Sequence, residues 1–270
     1  MAAPVSTLTI AGVDPSGGAG VLADIKAMSA LGAYGCAVIA ALTAQNTRAV
    51  TGILPVAPEF VAQQIDTLFE DVAIDAVKIG MLGEAAVIEV VAERLAHWRP
   101  AHVVLDPVMV AKSGDALLRA EAVEALRTRL LPLATVITPN LPEAAVLLGE
   151  PAVERVQDMT QVAVRLWRLK GESGWVFLKG GHLAGDDAVD ILFDGSHAIE
   201  LHAPRVLTRN THGTGCTLSA ALAALLPQSP DVPTAARRAK QYLSEAIARA
   251  DELAIGHGNG PVHHFHALWG

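Results

Sequence analysis

The sequence predicts an α/β fold: an open, mostly parallel sheet with helices on both faces and small antiparallel edge strands. Three observations carry this expectation. Short apolar runs alternate with helix-periodic runs from residue 76 to residue 179, an order that implies parallel strands joined by right-handed helical crossovers. The apolar runs stop at Gly80-Met81, Asp106-Pro107, Pro139-Asn140 and Gly180-Gly181, where βα loops would begin. Near the end of this series, only Asp194-Gly195-Ser196-His197 separates two further apolar runs, which therefore read as an antiparallel excursion.

In chain order, residues 5–11 alternate apolar and small polar side chains and lead into Gly12-Val13-Asp14-Pro15-Ser16-Gly17-Gly18-Ala19-Gly20, a strand feeding a tight loop. Val21, Leu22, Ile25, Met28 and Leu31 recur at helical spacing, with Asp24 toward the loop end and Gly32 closing the segment. Residues 36–43 and 49–56 read as two strands. The polar joint Gln45-Asn46-Thr47-Arg48 between them is a candidate ligand contact. Pro58 and Glu59 open a helix to about residue 70, followed by a strand at 76–79, a helix at 84–98 and a strand at 102–105. A second round comprises a helix at 120–131, a strand at 135–138 and the turn Pro139-Asn140-Leu141-Pro142-Glu143, with Glu143 in the next helix's first turn. A helix at 158–169, a strand at 175–179 and the antiparallel runs 191–193 and 198–202 follow. Asn210-Thr211-His212-Gly213-Thr214-Gly215-Cys216 then opens an apolar helix at 217–226, and a polar-faced helix at about 233–253 precedes the tail 256–270. With no internal repeat, low-complexity tract or linker, residues 1–270 are expected to form a single domain.

Composition narrows the function. A net charge of -8 without a basic cluster argues against a nucleic-acid surface, while a small anion can still bind through local backbone groups. Residues 27–47 carry no Asp, Glu, Lys or Arg until the joint, but Gly32, Gly35, Gln45 and Asn46 break the run into helix and strand pieces, so no membrane association is expected. Residues 1–12 lack a basic start and read as a strand, not as a signal peptide. Cys36 and Cys216 have no Cys-x-x-Cys spacing and suit a reducing cytoplasm.

In open α/β sheets, ligands sit beyond the carboxyl ends of the strands. Residues 12–20, 80–81, 106–114, 140–143 and 179–181 all fall there, so their common edge is the expected site. Gly12-x-x-x-x-Gly17 begins like a phosphate loop, but Gly18 stands where its lysine must be. Gly213-x-Gly215 continues to Leu218 instead of glycine, which makes a poor dinucleotide fingerprint. What remains around Gly213 and Gly215 is a helix start with uncovered backbone N–H groups, an anion site or a plain glycine turn. Cys216 lies in that helix's first turn, where the macrodipole would lower its pKa from about 8.5, making it a base, a nucleophile or a packed thiol. Asp106 and Glu143 can hold a hard Mg²⁺ through oxygen, or be a solvated loop acid and a helix-capping acid. Lys179 ends an apolar strand where a cation meets phosphate or merely snorkels, and Lys112 carries less weight because loops commonly expose lysines. Cys36 reads as core, and His263, His264 and His266 have no accompanying carboxylate or cysteine and stay unassigned.

Taken together, Ala11-Gly12-Val13-Asp14-Pro15-Ser16-Gly17-Gly18-Ala19-Gly20, Ala44-Gln45-Asn46-Thr47, Lys78-Ile79-Gly80-Met81, Asp106-Pro107-Val108-Met109, Thr138-Pro139-Asn140-Leu141-Pro142-Glu143, Lys179-Gly180-Gly181-His182, the segment from Asn210 to Cys216 and Gly260-Pro261-Val262-His263-His264-Phe265-His266 resemble one family in order and spacing. It is the ribokinase superfamily and, within it, the hydroxymethylpyrimidine/phosphomethylpyrimidine kinase branch of thiamine biosynthesis. The superfamily pattern ends in a catalytic aspartate where this chain has Cys216, a replacement that marks the pyrimidine branch; Asn210 likewise replaces an acid.

The resemblance implies ATP as co-substrate with Mg²⁺, and 4-amino-5-hydroxymethyl-2-methylpyrimidine, then its monophosphate, as acceptors. It places Cys216 at the catalytic position with the Gly213 and Gly215 amides. Gln45 and Asp24 would lie on the polar edge of the aminopyrimidine, with Gly12, Met81 and Val108 near its faces. Asp106 and Glu143 would hold the metal, while Lys179, Asn140, Thr211 and Lys112 would serve the nucleotide. Gln45 offers both a donor and an acceptor to such a ring. Pyridoxal kinase and a non-catalytic pyrimidine sensor are the alternatives. A homodimer is expected through an apolar sheet edge at residues 36–56.

Overall fold

The computed structural model describes residues 4–109 and 119–269. Among these residues the strands are β1 (Ser6–Val13), β2 (Tyr34–Gln45), β3 (Val50–Pro55), β4 (Ala76–Ile79), β5 (His102–Leu105), β6 (Val136–Ile137), β7 (Trp175–Lys179), β8 (Asp187–Phe193) and β9 (Ala198–Pro204). They form one sheet in the order β3-β2-β1-β4-β5-β6-β7-β8-β9. The pairs from β2 through β7 are parallel; β3 at one edge and β8 and β9 at the other are antiparallel. The predicted class holds, including its small antiparallel edges.

Period-2 alternation sorts the strand side chains between two helical layers. Val77, Ile79, Val103, Leu105, Ile137, Val176 and Leu178 enter one core with α2 (Pro58–Phe69), α3 (Ala85–Trp98), α5 (Leu141–Leu148) and α6 (Val156–Leu169). Ala76, Val104, Val136 and Phe177 enter the other with α1 (Gly20–Ala30), α7 (Thr214–Leu225) and α8 (Val232–Ala248). Residues Thr217 to Leu225 are buried without a break, as a helix apolar on all sides requires. The alanines among them let α7 lie between the sheet and α1 and α8.

Some boundaries differ from the expectations. The segment predicted as one helix at 120–131 is α4 (Ala120–Ala125), a π turn at Leu126–Leu130 and a 3₁₀ turn at Leu131–Leu133, where Pro132 cannot donate to a continuing helix. β6 is two residues long, β8 and β9 are longer than predicted, and α7 starts three residues before 217. α8 stops at Ala248 and a 3₁₀ turn, Ala250–Glu252, follows. No helix among the described residues is long and apolar enough to cross a membrane.

The topology selects the site. β1 runs through α1 to β2 on one side, while β4 lies on its other side, so the strand order reverses between β1 and β4. At that switch point the Gly12 N–H donates to the Met81 carbonyl at 3.0 Å and the Gly80 N–H to the Ile10 carbonyl at 3.0 Å. A crevice opens beyond strand ends at such a point.

Candidate active site

On the β1 side, the first turn of α7, the loop after β1 and the end of β2 meet. Gly12 packs directly on Met81, because a Cβ at Gly12 would stand 2.6 Å from Met81 Cε. Val108 is held in the turn after β5 by its N–H bond to the Asp106 carbonyl at 2.8 Å. Gln45, half-buried at the end of β2, accepts from Thr43 Oγ1 at 3.2 Å and lies 3.5 Å from His212 Nε2. His212 Nε2 in turn contacts Asp14 Oδ2 at 2.7 Å, and Asp14 also accepts the N–H groups of Ser16 and Ala19. Burial works against the Asp14 charge, but bonds from His212 and Ser16 outweigh it and hold the carboxyl below its ordinary range.

Beneath this wall lies an ion pair. Asp24 Oδ2 accepts Lys78 Nζ at 2.7 Å and Thr9 Oγ1 at 2.6 Å, and both charged side chains are 0% exposed. Burial opposes the Lys78 charge; Asp24 outweighs it, with help from Cys216 and Asp106, and Lys78 stays an ammonium. A Cβ at Gly80 would stand 2.6 Å from Lys78 Nζ, so glycine there makes room for the lysine head. This corrects the expectation for Asp24. It does not present an open polar edge, because it faces Lys78 inside the protein, and among the described residues its Oδ1 has no hydrogen-bond partner.

On the other side, Asp106 closes β5 and is 1% exposed. Its Oδ1 accepts Lys179 Nζ at 2.9 Å and Thr138 Oγ1 at 3.0 Å, while Ser219 of α7 reaches Oδ2 at 3.4 Å. Lys179 also lies 3.9 Å from Glu143 Oε2. Burial opposes the Lys179 charge, yet Asp106 and Glu143 together raise its pKa. Asn140 and Glu143 form a reciprocal capping box on α5, each accepting the other's N–H at 2.8 Å, so the capping role expected for Glu143 is real and coexists with its place beside Lys179. Burial pushes the Glu143 carboxyl up to about 7; Lys179 opposes this and Asp106 adds to it.

The α7 N-terminus joins the two sides. Gly213 caps it at φ 77°, a conformation that favours glycine, and a Cβ there would stand 1.8 Å from the Gly18 carbonyl oxygen. A Cβ on Gly215 would lie 3.3 Å from Lys179 Nζ and 3.4 Å from Asp106 Oδ2, so the first turn sits over that pair. Cys216 follows, half-buried by surface. Burial pushes its thiol up to about 11; Lys78 and the Gly20 N–H pull it down, and Asp24 and Asp106 push it further up. The direction is opposite to the lowering expected from the helix dipole, and its first cause is loss of water, with Asp24 and Asp106 adding to it.

Asp106 and Glu143 suit Mg²⁺ as a donor set. This cation takes one or two carboxylates and completes its shell with phosphate oxygens and water, without a full protein cage. No cluster of three or more His, Cys, Asp or Glu with metal-site geometry exists among the described residues. The tail histidines are buried packing groups: His264 Nε2 lies 3.0 Å from Thr217 Oγ1, and burial drives its pKa down to about 3. Asn210 donates to Asp251 at 2.7 Å and accepts the Gly260 N–H at 3.1 Å, tying the tail to the loop before α7. Thr211 is half-buried in that loop, and Lys112 lies outside the described residues. Sequence reasoning missed Lys78, His212, Asp14, Thr138 and Ser219 as members of the site. Lys78 had a readable signal, since a charge inside the apolar run Ala76-Val77-Lys78-Ile79 demands a buried partner.

With this geometry in place, comparison with known proteins is specific. Residues 14–263 match the family described as phosphomethylpyrimidine kinase. The hydroxymethylpyrimidine/phosphomethylpyrimidine kinase of Escherichia coli (strain K12) is 55% identical over 265 residues, which cover 98% of this chain and 99% of that protein. Among solved structures, an ADP complex of Bacillus subtilis pyridoxal kinase superposes with a TM-score of 0.90 at 35% identity, covering 99% of this chain and 100% of that one. The phosphomethylpyrimidine kinase of Clostridium difficile 630 superposes with a TM-score of 0.78 at 41% identity, covering 90% of this chain and 99% of that one. Motif order, sheet topology and these likenesses agree, and the chain belongs to the phosphomethylpyrimidine kinase family.

Proposed function

We propose that the protein uses ATP to phosphorylate 4-amino-5-hydroxymethyl-2-methylpyrimidine and then its monophosphate, for thiamine biosynthesis. The observation that carries this reading is the α7 N-terminus, which sets Gly215 on the Lys179–Asp106 pair and Cys216 beside Gly20 and near the Asp24–Lys78 pair. Phosphoryl transfer passes through a loose transition state, so most catalysis comes from position and charge neutralisation. Lys179 and the Gly213 to Gly215 amides face the transferring phosphoryl group, with Asn140 and Thr211 on the nucleotide side. Gln45 reads the polar edge of the pyrimidine, while Gly12, Met81 and Val108 bound its faces. Lys78 and Asp24 set the charge beneath it. Mg²⁺, held by Asp106, Glu143, phosphate oxygens and water, supplies further charge neutralisation when bound.

Cys216 Sγ, as the thiolate, accepts the proton of the acceptor hydroxyl while the bond from that oxygen to the γ-phosphorus forms and the bond from phosphorus to the ADP oxygen breaks. With the thiol pushed up to about 11, the thiolate that can take this proton is a small fraction near neutral pH, so the base contributes less than positioning does. Cys216→Ala is expected to lower kcat about 100-fold with the fold intact by circular dichroism. Turnover near that of the wild type removes the base role and leaves the kinase reading in place.

ADP release measured side by side with the pyrimidine and with pyridoxal, together with phosphorus NMR of the products, tests the reaction. The pyrimidine is expected to yield a monophosphate and then a diphosphate. Pyridoxal kinase is the second reading, favoured by the TM-score of 0.90 to the Bacillus subtilis enzyme, and faster turnover of pyridoxal would establish it. Pyrimidine binding without ADP release would instead establish a sensor.

The same reading includes a single domain over residues 1–270, a cytoplasmic location and a homodimer. Leu42, Ile53, Leu54 and Phe60 are exposed on the edge formed by β2, β3 and the start of α2, a surface suited to a second copy of the chain. A monomeric mass at micromolar concentration in sedimentation would exclude the dimer.

A further inference from the structure

The backbone after Lys179 is held by three charged side chains outside the groups assigned above. Lys179 ends β7, and its register partner on β8 is Asp190. Asp190 Oδ1 accepts the Gly180 N–H at 2.8 Å, and Oδ2 accepts Lys240 Nζ of α8 at 2.6 Å. Lys240 also donates to the Ala188 carbonyl at 2.8 Å. Asp190 and Lys240 are each 7% exposed. Exchange of such a pair for apolar residues is often neutral in stability, so stability explains its presence poorly, whereas its bond to Gly180 fixes geometry one residue from Lys179. The approach is close: a Cβ at Gly180 would stand 2.0 Å from the Val189 carbonyl oxygen.

Arg205, just past β9, continues the same restraint. Its Nε donates to the Gly185 carbonyl at 2.8 Å, Nη1 to that of Gly181 at 2.9 Å and Nη2 to that of Leu183 at 2.6 Å, while its own N–H donates to the Asp186 carbonyl at 2.8 Å. Residues 181–186 contain no helix or strand, so one planar fork sets the path of a segment with no ladder of its own.

We propose that Asp190, locked by Lys240, and Arg205 are positioning residues for phosphoryl transfer. They hold the backbone from Gly180 to Gly185 so that Lys179 Nζ stays over Asp106 and under the first turn of α7. None of the three touches the reacting atoms, so they act through Lys179 and the segment after it. The proposal rests on the kinase reading above, and predicts a defect confined to the nucleotide.

The test uses Asp190→Asn and Arg205→Lys in the full chain, with MgADP titration calorimetry and steady-state kinetics for both substrates. Asp190→Asn keeps an acceptor for Gly180 and loses the charge that holds Lys240; Arg205→Lys keeps the charge and loses the fork. Each is expected to raise KM for ATP about tenfold, the effect of weakening one charge-assisted hydrogen bond. KM for the pyrimidine is expected to stay within about twofold of wild type. If Asp190→Asn does not fold, Arg205→Lys decides alone. Unchanged nucleotide constants in the variants, where the wild type binds MgADP, overturn the positioning role while the kinase reading stands. An equal loss for both substrates also overturns it, as the mark of general destabilisation. Absence of MgADP binding by the wild type overturns both readings.

Discussion

Two of the lysine–aspartate pairs among the described residues, Lys78–Asp24 and Lys179–Asp106, are nearly equal in length and opposite in setting. Lys78–Asp24 is 2.7 Å long with both side chains at 0% exposure, whereas Lys179–Asp106 is 2.9 Å long with the lysine at 14%. The first is sealed between β1, β4 and α1; the second lies under the glycine turn of α7. A sealed pair cannot exchange partners, so it contributes a fixed field and a fixed shape to the acceptor wall. The partly open pair can give up part of its mutual attraction to a phosphate or a cation. On the function proposed above, the same two residue types build the frame on one side and the working contact on the other, and solvent access makes the difference.

Substitution separates the two roles. Lys78→Met leaves the Asp24 carboxylate buried with Thr9 as its remaining partner, and is expected to cost about 3–5 kcal/mol in urea unfolding. Adding Asp24→Asn should recover most of that loss, and a single-variant cost below about 1 kcal/mol would show that the pair is not sealed. Lys179→Met should behave the other way round. Its stability loss is expected to be smaller than that of Lys78→Met, because Asp106 keeps Thr138 and Ser219 as donors, while kcat falls about 100- to 1,000-fold, measured by ADP release at saturating substrates. Activity within about tenfold of wild type would remove Lys179 from the phosphate side.

The smallest expected effect reads the field of both pairs at once, through Cys216. With its thiol near 11, Cys216 should react with iodoacetamide at pH 7.5 at least about tenfold more slowly than a free cysteine, and accelerate as pH rises toward 11. The sign for stability follows from the raised value. The unfolded chain releases this proton near 9 and the folded chain near 11, so the contribution is complete below about 9 and is lost between those values. Peptide mass spectrometry of the alkylated protein gives the rate. A Cys216 that outreacts free cysteine would restore the helix-dipole reading.

Legibility in the sequence followed the range of the interaction. The strands at 76–79, 102–105 and 175–179 were read to the residue, because each is a short buried run bounded by turn-forming residues. The segment at 120–131 was read as one helix and is a short α-helix followed by a π turn and a 3₁₀ turn, because its apolar spacing is helical while Pro132 interrupts the hydrogen bonding. Asp106, Glu143 and Lys179 were read as neighbours from their places at strand ends, and the topology brings them together. His212 and Asp14 were missed because their contact joins positions 198 residues apart, and no local pattern encodes such a pair.

By itself, the sequence determined the sheet-and-helix order, the crevice at the strand ends and the family, since periodicity, punctuation and motif spacing are properties of neighbours along the chain. Tertiary structure alone decided the charge states and partners inside the crevice. It sealed Asp24 against Lys78, left Lys179 within reach of ligand, and raised the Cys216 thiol where the helix end by itself would lower it. Those outcomes depend on burial and on charges from distant strands, and desolvation is a property of the packed molecule that a linear order of residues does not contain.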